Sequence, residues 1–249
     1  MSRGTRKKTE IQASRLLGRV ASSISKAARR SEKKGRTVKT EIAIGAPWET
    51  IVRRAHATRA ELIVIGSHNR RKFGDFFLGS TASRVIRHGN FPVLIARTLP
   101  AASYCRPLVA VDLEEASPKV LEMALRLFQS EVPSAWVLHS YSVPFEGFIF
   151  PSLSDKELAD YRDDAQKNAR SSLLELVETF DSSSCELKPI LRRGDPRKVI
   201  PREGARRRAD LIVLGTHGRT GLSRSMLGSV ADWIIRAAEC DVLVARPSR

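Results

Sequence analysis

The chain is 249 residues long, 42% hydrophobic and 28% charged, with a net charge of +16. That length suits one large domain or two modest ones with cores of their own, and the balance excludes a disordered chain. Thirteen Lys/Arg stand against Glu10 and Glu32 in residues 1–40, so +11 of the charge lies there and only +5 in the other 209 residues. A nucleic-acid binder could carry such a stretch, but no aromatic residue lies within it to stack on bases, and a solvated helix face explains it better. Cys105, Cys185 and Cys240 are far apart and form no CxxC pair, which argues against a zinc site or a disulfide framework and fits a reducing compartment. MSRGTRKKTEIQ has no apolar stretch behind it and no apolar run approaches the ~18 residues of a membrane span, so the expected location is the cytoplasm.

In chain order, Ala13, Leu17, Val20, Ile24 and Ala27 share one face of a helix expected over 6–31. A strand is expected at 38–44, a helix start at Gly45-Ala46-Pro47, and strands at 62–65 and 93–96. Leu108-Val109-Ala110-Val111 is a short apolar strand ended by Asp112, and 117–130 is a helix with a Ser-Pro start. A strand at 135–139, a long helix over 157–180 and a strand at 186–191 follow. Gly194-Asp195-Pro196 opens another helix, with Asp195 as its N-cap. A buried run at 211–214, a glycine-bearing loop, a helix from about Gly228 and a strand at 242–245 complete the chain. Alternating apolar strands and helices predict an α/β fold with mostly parallel sheets covered on both faces.

The chain repeats itself. AELIVIGSHNRRKFGDFFLGSTASRVIRHGNFPVLIAR, ending at Arg97, matches ADLIVLGTHGRTGLSRSMLGSVADWIIRAAECDVLVAR, ending at Arg246, at 17 of 38 positions with an offset of 149. The offset already holds at Gly45-Ala46-Pro47 against Gly194-Asp195-Pro196. It carries the counterparts of the strands at 108–111 and 135–139 to positions before residue 1. The expected domains are therefore 104–249, complete, and 1–100, lacking its first strand, first helix and second strand. The strand at 38–44 must then pair directly with 62–65 or stand apart.

The chemistry concentrates at Gly215-Thr216-His217-Gly218, nine residues, then Gly228-Ser229. The loop leaves the carboxyl end of a buried strand and enters a helix N-terminus, where open α/β sheets hold ligands. Glycines let backbone amides approach a polyphosphate, and the positive end of the helix dipole lies behind them. Arg219 or Arg224 could add charge. The same spacing also suits a plain turn and helix cap. No GxxxxGK[ST] occurs, and no GxGxxG follows a strand.

LIVLGTHGRTGLSRSMLGSV, with DVLVAR closing the second copy and PVLIAR the first, resembles the universal stress protein family, in particular its ATP-binding class with the hallmark G-x2-G-x9-G-[ST]. The resemblance implies two tandem Rossmann-like domains of the adenine nucleotide alpha hydrolase type, the first incomplete. Each complete sheet would have strand order 3-2-1-4-5. It also implies an ATP site in the second copy. There Asp112, with the backbone of Ala110 and Val111 and the main chain at Ser140, would meet the adenosine. Gly215, Thr216, His217, Gly218, Arg219, Gly228, Ser229 and Val230 would hold the phosphates, with or without Mg2+. In the first copy Gly66, Gly79 and Ser80 match the hallmark but Asn69 replaces the second glycine, so no ATP is expected there. The family's last strands pair antiparallel across an interface, which predicts an intramolecular pseudo-dimer through 93–96 and 242–245 and leaves a homodimer open.

His68 and His217 share a repeat position and read as turn residues rather than bases, since no carboxylate is paired with them in the sequence. Trp136 and Trp233 read as packing residues. The implied function is a nucleotide-dependent stress regulator rather than an enzyme, with slow ATP hydrolysis or a basic adaptor binding nucleic acid or acidic partners through 1–40 as the alternatives.

Overall fold

The computed structural model describes residues 37–66, 79–97, 103–128, 132–143, 154–180, 185–216 and 227–246. The helix expected over 6–31 lies outside them, as do His68, Asn69, His217, Gly218, Arg219 and Arg224. The chain divides into two compact units, Met1–Thr50 and Ile51–Arg249.

In the first unit, helix α1 (Pro47–Thr58) begins where the Gly-Ala-Pro signal places it and continues into the second. The strand expected at 38–44 does not form, and Ile42 and Ile44 are 49% and 90% exposed. The apolar alternation there is strand-like, but a strand needs neighbours for its N–H and C=O groups. In the second copy the equivalent strand pairs with the strand Ser134–Tyr141, and no described strand lies beside 38–44.

The second unit holds strands β1 (Ile63–Gly66), β2 (Val93–Ala96), β3 (Pro107–Val111), β4 (Ser134–Tyr141), β5 (Glu186–Arg193), β6 (Leu211–Gly215) and β7 (Asp241–Ala245). They form one seven-stranded sheet in the order β1-β2-β7-β6-β3-β4-β5. Five of these, β5-β4-β3-β6-β7, have the implied 3-2-1-4-5 order and are parallel throughout. Every residue of β3 and β7 is buried, as is nearly all of β6, whereas the edge strands β1 and β5 keep exposed positions. Continuous apolar runs mark strands covered on both faces, and the mixed, charged β5 sequence marks an edge.

The two copies meet through β2 and β7, which pair antiparallel as Val93↔Val244, Leu94↔Leu243 and Ile95↔Val242. Leu94 and Leu243 are repeat equivalents, so a local two-fold axis passes through that pair. This is the expected intramolecular pseudo-dimer, built as one continuous sheet. Helices α2 (Ser80–His88) and α6 (Ser229–Ala237) precede β2 and β7 and are also repeat equivalents.

Helix α3 (Ser117–Phe128) buries Val120, Leu121, Ala124 and Phe128 against the sheet. Helix α4 (Asp155–Glu178) starts where Ser154 and Glu157 form a capping box in which each side chain accepts from the other's amide. It buries only Leu158 and Leu173, so most of its surface is solvated. Helix α5 (Pro196–Arg206) starts after Gly194, whose φ of +136° excludes most side chains. The repeat equivalent, Gly45, has φ +144°. No helix among the described residues is long and apolar enough to cross a membrane.

Candidate functional site

Strand β3 lies between β4 and β6, and is parallel to both. The chain moves from β3 to β4 on one side, while β6 lies on the other, so the strand order reverses between β3 and β6. This is the topological switch point at which open α/β sheets leave a crevice beyond the strand carboxyl ends. The register Ala110↔Leu214 brings Val111 beside Gly215, so Asp112 and Thr216 leave the sheet as neighbours.

Asp112 is half-buried. Its Oδ1 accepts from the Ser117 hydroxyl at 2.8 Å and from the Glu114 amide at 3.1 Å. The first residues of α3 thus hold the carboxylate in place, and its other oxygen has no protein partner among the described residues. The Val111 carbonyl has a partner already, His139 Nδ1 at 2.9 Å, which ties the end of β4 to that of β3. Ala110 is interior to β3 and buried. The Ser140 hydroxyl donates to the Gly194 carbonyl at 2.6 Å, joining β4 to the turn before α5.

A cavity of about 350 Å³ opens there, lined by Ser140, Ser142, Val143, Arg193, Gly194, Asp195 and Pro196. Sequence reasoning named Ser140 but not Ser142, Val143 or Arg193. Their placement depends on β4 and β5 both running to their full length, two residues beyond the expected ends. Asp195 is the N-cap of α5, as expected: its Oδ1 accepts from the Arg197 amide at 2.9 Å, and the Arg197 guanidinium bonds both carboxylate oxygens. The Arg197 hydrogen bonds hold that carboxyl below its usual range. A carboxylate so occupied is a structural cap rather than a base.

On the β6 side, the Gly228 amide donates to the Thr216 carbonyl at 2.7 Å and closes the neck of the glycine loop. Gly228 is the N-cap of α6, at φ −59° and ψ 148°, and no side chain caps the helix. The first intrahelical bond runs from the Asp232 amide to the Gly228 carbonyl at 2.9 Å, which leaves the amides of Ser229, Val230 and Ala231 ahead of it. Ser229 is exposed beside them. The arrangement can bind an anion through amides, a hydroxyl and the helix dipole. Ser229 and Val230 therefore lie where the spacing places them, and of the candidate loop residues the structure brings Gly215, Thr216, Gly228, Ser229 and Val230 together.

The first copy keeps half of this. Gly79 caps α2 with the same angles, φ −55° and ψ 148°, again without a side-chain cap. Yet among the described strands β1 is the edge of the sheet and pairs with β2 alone, so none of them supplies the opposite wall of a crevice. Among the described residues, no group of three or more His, Cys, Asp or Glu side chains could hold a metal ion.

A crevice at this switch point, a Gly-Ser helix start and a tandem repeat joined through its last strands are together what the family resemblance implied. The Universal stress protein family model matches residues 2–97 and again 104–246. The chain belongs to the universal stress protein family. It is 26% identical over 219 residues to a universal stress protein of Mycobacterium tuberculosis, covering 85% of this chain and 70% of that one. It is 24% identical over 210 residues to universal stress protein E of Escherichia coli, covering 82% and 66%. Its fold is similar to that of a universal stress protein from Archaeoglobus fulgidus, with a TM-score of 0.72 and 20% identity over 94% of this chain and 80% of that one. The relatives are longer than this chain.

Proposed function

We propose that this universal stress protein binds one ATP, in the crevice between β3 and β6 of its second copy, and that its role is nucleotide-dependent regulation in the cytoplasm rather than turnover. The observation that carries the reading is the N-terminus of α6, without a side-chain cap among the described residues, opening beside Asp112 at the switch point between β3 and β6. The amides of Ser229, Val230 and Ala231, the Ser229 hydroxyl and the loop 217–219 take the phosphates. The unengaged oxygen of Asp112 is an acceptor only, so it suits the hydroxyl donors of a ribose and would repel a phosphate. The cavity at Ser140 and Gly194 receives the far end of the nucleoside. Mg2+ would be carried by the phosphates with water completing its shell, which is its usual mode beside polyphosphates. Regulation is our reading in preference to hydrolysis because no paired base stands out: Asp195, the carboxylate lining the cavity, is consumed as a helix cap.

Isothermal titration of the purified chain with ATP, together with mass spectrometry of co-purified nucleotide, tests this directly. The expected result is one site per chain and no release of phosphate. Two equivalent sites, or none, would refute it.

A further inference from the structure

Helix α6 is held at both ends, and the two holders come from different copies of the repeat. Its N-terminus closes on Thr216 of its own copy. At its C-terminus, Arg97 from the first copy donates through Nη2 to the Ile235 carbonyl in the last turn. Arg97 is itself anchored. Its amide donates to Asp241 Oδ1 at 2.8 Å, and the other oxygen of the buried Asp241 accepts from the Tyr104 hydroxyl at 2.7 Å.

The repeat equivalent of Arg97 is Arg246, and it does the converse. Its Nη1 donates to the Ile86 carbonyl at 3.1 Å and to the Gly89 carbonyl, at the C-terminal end of α2. Ile86 and Ile235 are themselves equivalent. The arginine that follows each copy's last strand therefore clamps the loop helix of the other copy across the local two-fold axis. The two clamps match in chemistry but not in consequence, since only α6 begins at a crevice with two walls.

We propose that Arg97 is a positioning residue for the nucleotide phosphates, contributed by the first copy to the site of the second. The inference rests on the ATP reading above. Helix α6 has nine residues, so about 13 Å separates its ends and the element moves as a rigid rod. Among the described residues no side chain caps its N-terminus, so the amides at Ser229–Ala231 owe their position to the Gly228–Thr216 bond, to the packing of Ala231, Ile234 and Ile235 and to the grip at the far end. Interdigitated apolar side chains hold the helix on the sheet. A charged donor bonded to a carbonyl of the last turn adds an axial restraint, and it complements the negative end of the helix dipole. Through this contact the first copy, whose described strands form no second wall for a crevice of its own, sets the geometry of the second.

The test uses the full chain with Arg97→Ala, Arg97→Lys and Arg246→Ala, titrated with ATP and with adenosine and melted in parallel. Arg97→Ala is expected to weaken ATP about tenfold, the scale of one charge-assisted hydrogen bond, and adenosine less than about twofold. Arg97→Lys keeps the charge and one donor and is expected to lose less. Arg246→Ala is expected to lower the melting temperature as much as Arg97→Ala while leaving ATP affinity unchanged. Equal losses of ATP affinity in the two alanine variants, or equal losses of ATP and adenosine in Arg97→Ala, would overturn the inference. ATP binding indifferent to both Arg97 variants would overturn it alone, whereas a wild-type chain that takes up no ATP would overturn the nucleotide reading as well.

Discussion

Replacing Gly228 with aspartate separates what the α6 N-terminus does for the fold from what it does for a nucleotide. Gly228 sits at φ −59° and ψ 148°, extended backbone that aspartate adopts without strain. An aspartate there caps the helix that now lacks a side-chain cap, accepting from the amide of Val230 or Ala231 and adding a negative charge at the positive end of the dipole. The gain over glycine is a few tenths of a kcal/mol for the cap and somewhat more for the charge, about 0.5 kcal/mol in all. For a chain of this size that raises the melting temperature by about 1–2 °C. The same carboxylate consumes an amide meant for phosphate and lies roughly 4 Å from it, where two unit charges repel by about 4 kcal/mol at an effective dielectric of 20. Allowing for screening by salt, ATP should bind at least about 100-fold more weakly. Gly79→Asp is the control. Gly79 has the same cap angles, and a Cβ there meets nothing within 4 Å, but its helix serves no complete crevice. It should stabilise equally and leave ATP affinity alone. Differential scanning fluorimetry and isothermal titration read the two effects separately. Affinity in Gly228→Asp within about threefold of wild type would mean that phosphates do not sit at this helix end. A drop of several degrees in its melting temperature would refute the capping argument.

Two further outcomes concern stability. Glu203 is 2% exposed, and its carboxylate faces Arg192 at 3.0 Å, Arg207 at 3.4 Å and Arg206 at 3.7 Å. Burial pushes its carboxyl up, but the Arg192 hydrogen bond and the charges of Arg192, Arg207 and Arg206 outweigh that and hold it below the ordinary value. A carboxylate whose folded pKa is lowered stabilises fully above its unfolded pKa, about 4.3, and loses that contribution as pH falls through the folded value. Glu203→Gln should therefore cost about 2 kcal/mol at pH 7, less than a fully buried pair because the arginines reach solvent, and should flatten the loss of stability below about pH 4.3. Acid limbs of equal slope in urea titrations of the two proteins would refute this. Separately, residues 101–249 expressed alone should melt cooperatively, whereas residues 1–100 should not. Of the described strands, the first hundred residues hold only β1 and β2, four residues each, and β2 loses β7 on separation. A cooperative melt of soluble, monomeric 1–100 would contradict this.

By itself, the sequence determined the elements that are specified locally and the relations that repetition imposes. The apolar runs of β3, β6 and β7 announce strands buried on both faces, because such residues have no other stable place. Glycine and proline mark the starts of α1 and α5 because few other residues adopt the backbone required at Gly45 and Gly194. The offset of 149 aligned two helices, two glycine caps and the strands whose pairing centres on Leu94 and Leu243. At the site, this was enough to place Asp112, Gly215, Thr216, Gly228, Ser229 and Val230 at strand ends and a helix start. What it left undecided was everything that depends on which strand lies beside which. The alternation at 38–44 is as strand-like as that of its counterpart β5, yet among the described residues only β5 has a neighbouring strand, and only β5 pairs. The engagement of the Val111 carbonyl by His139, and the cavity lined by Ser142, Val143 and Arg193, follow from strand ends brought together in register. Arg97 and Arg246 look like the polar ends of two strands until the antiparallel β2–β7 pairing carries each to the opposite helix. A side chain's partners across a sheet are set by long-range register, which no local pattern encodes, because the free energy that selects the register is that of the assembled core.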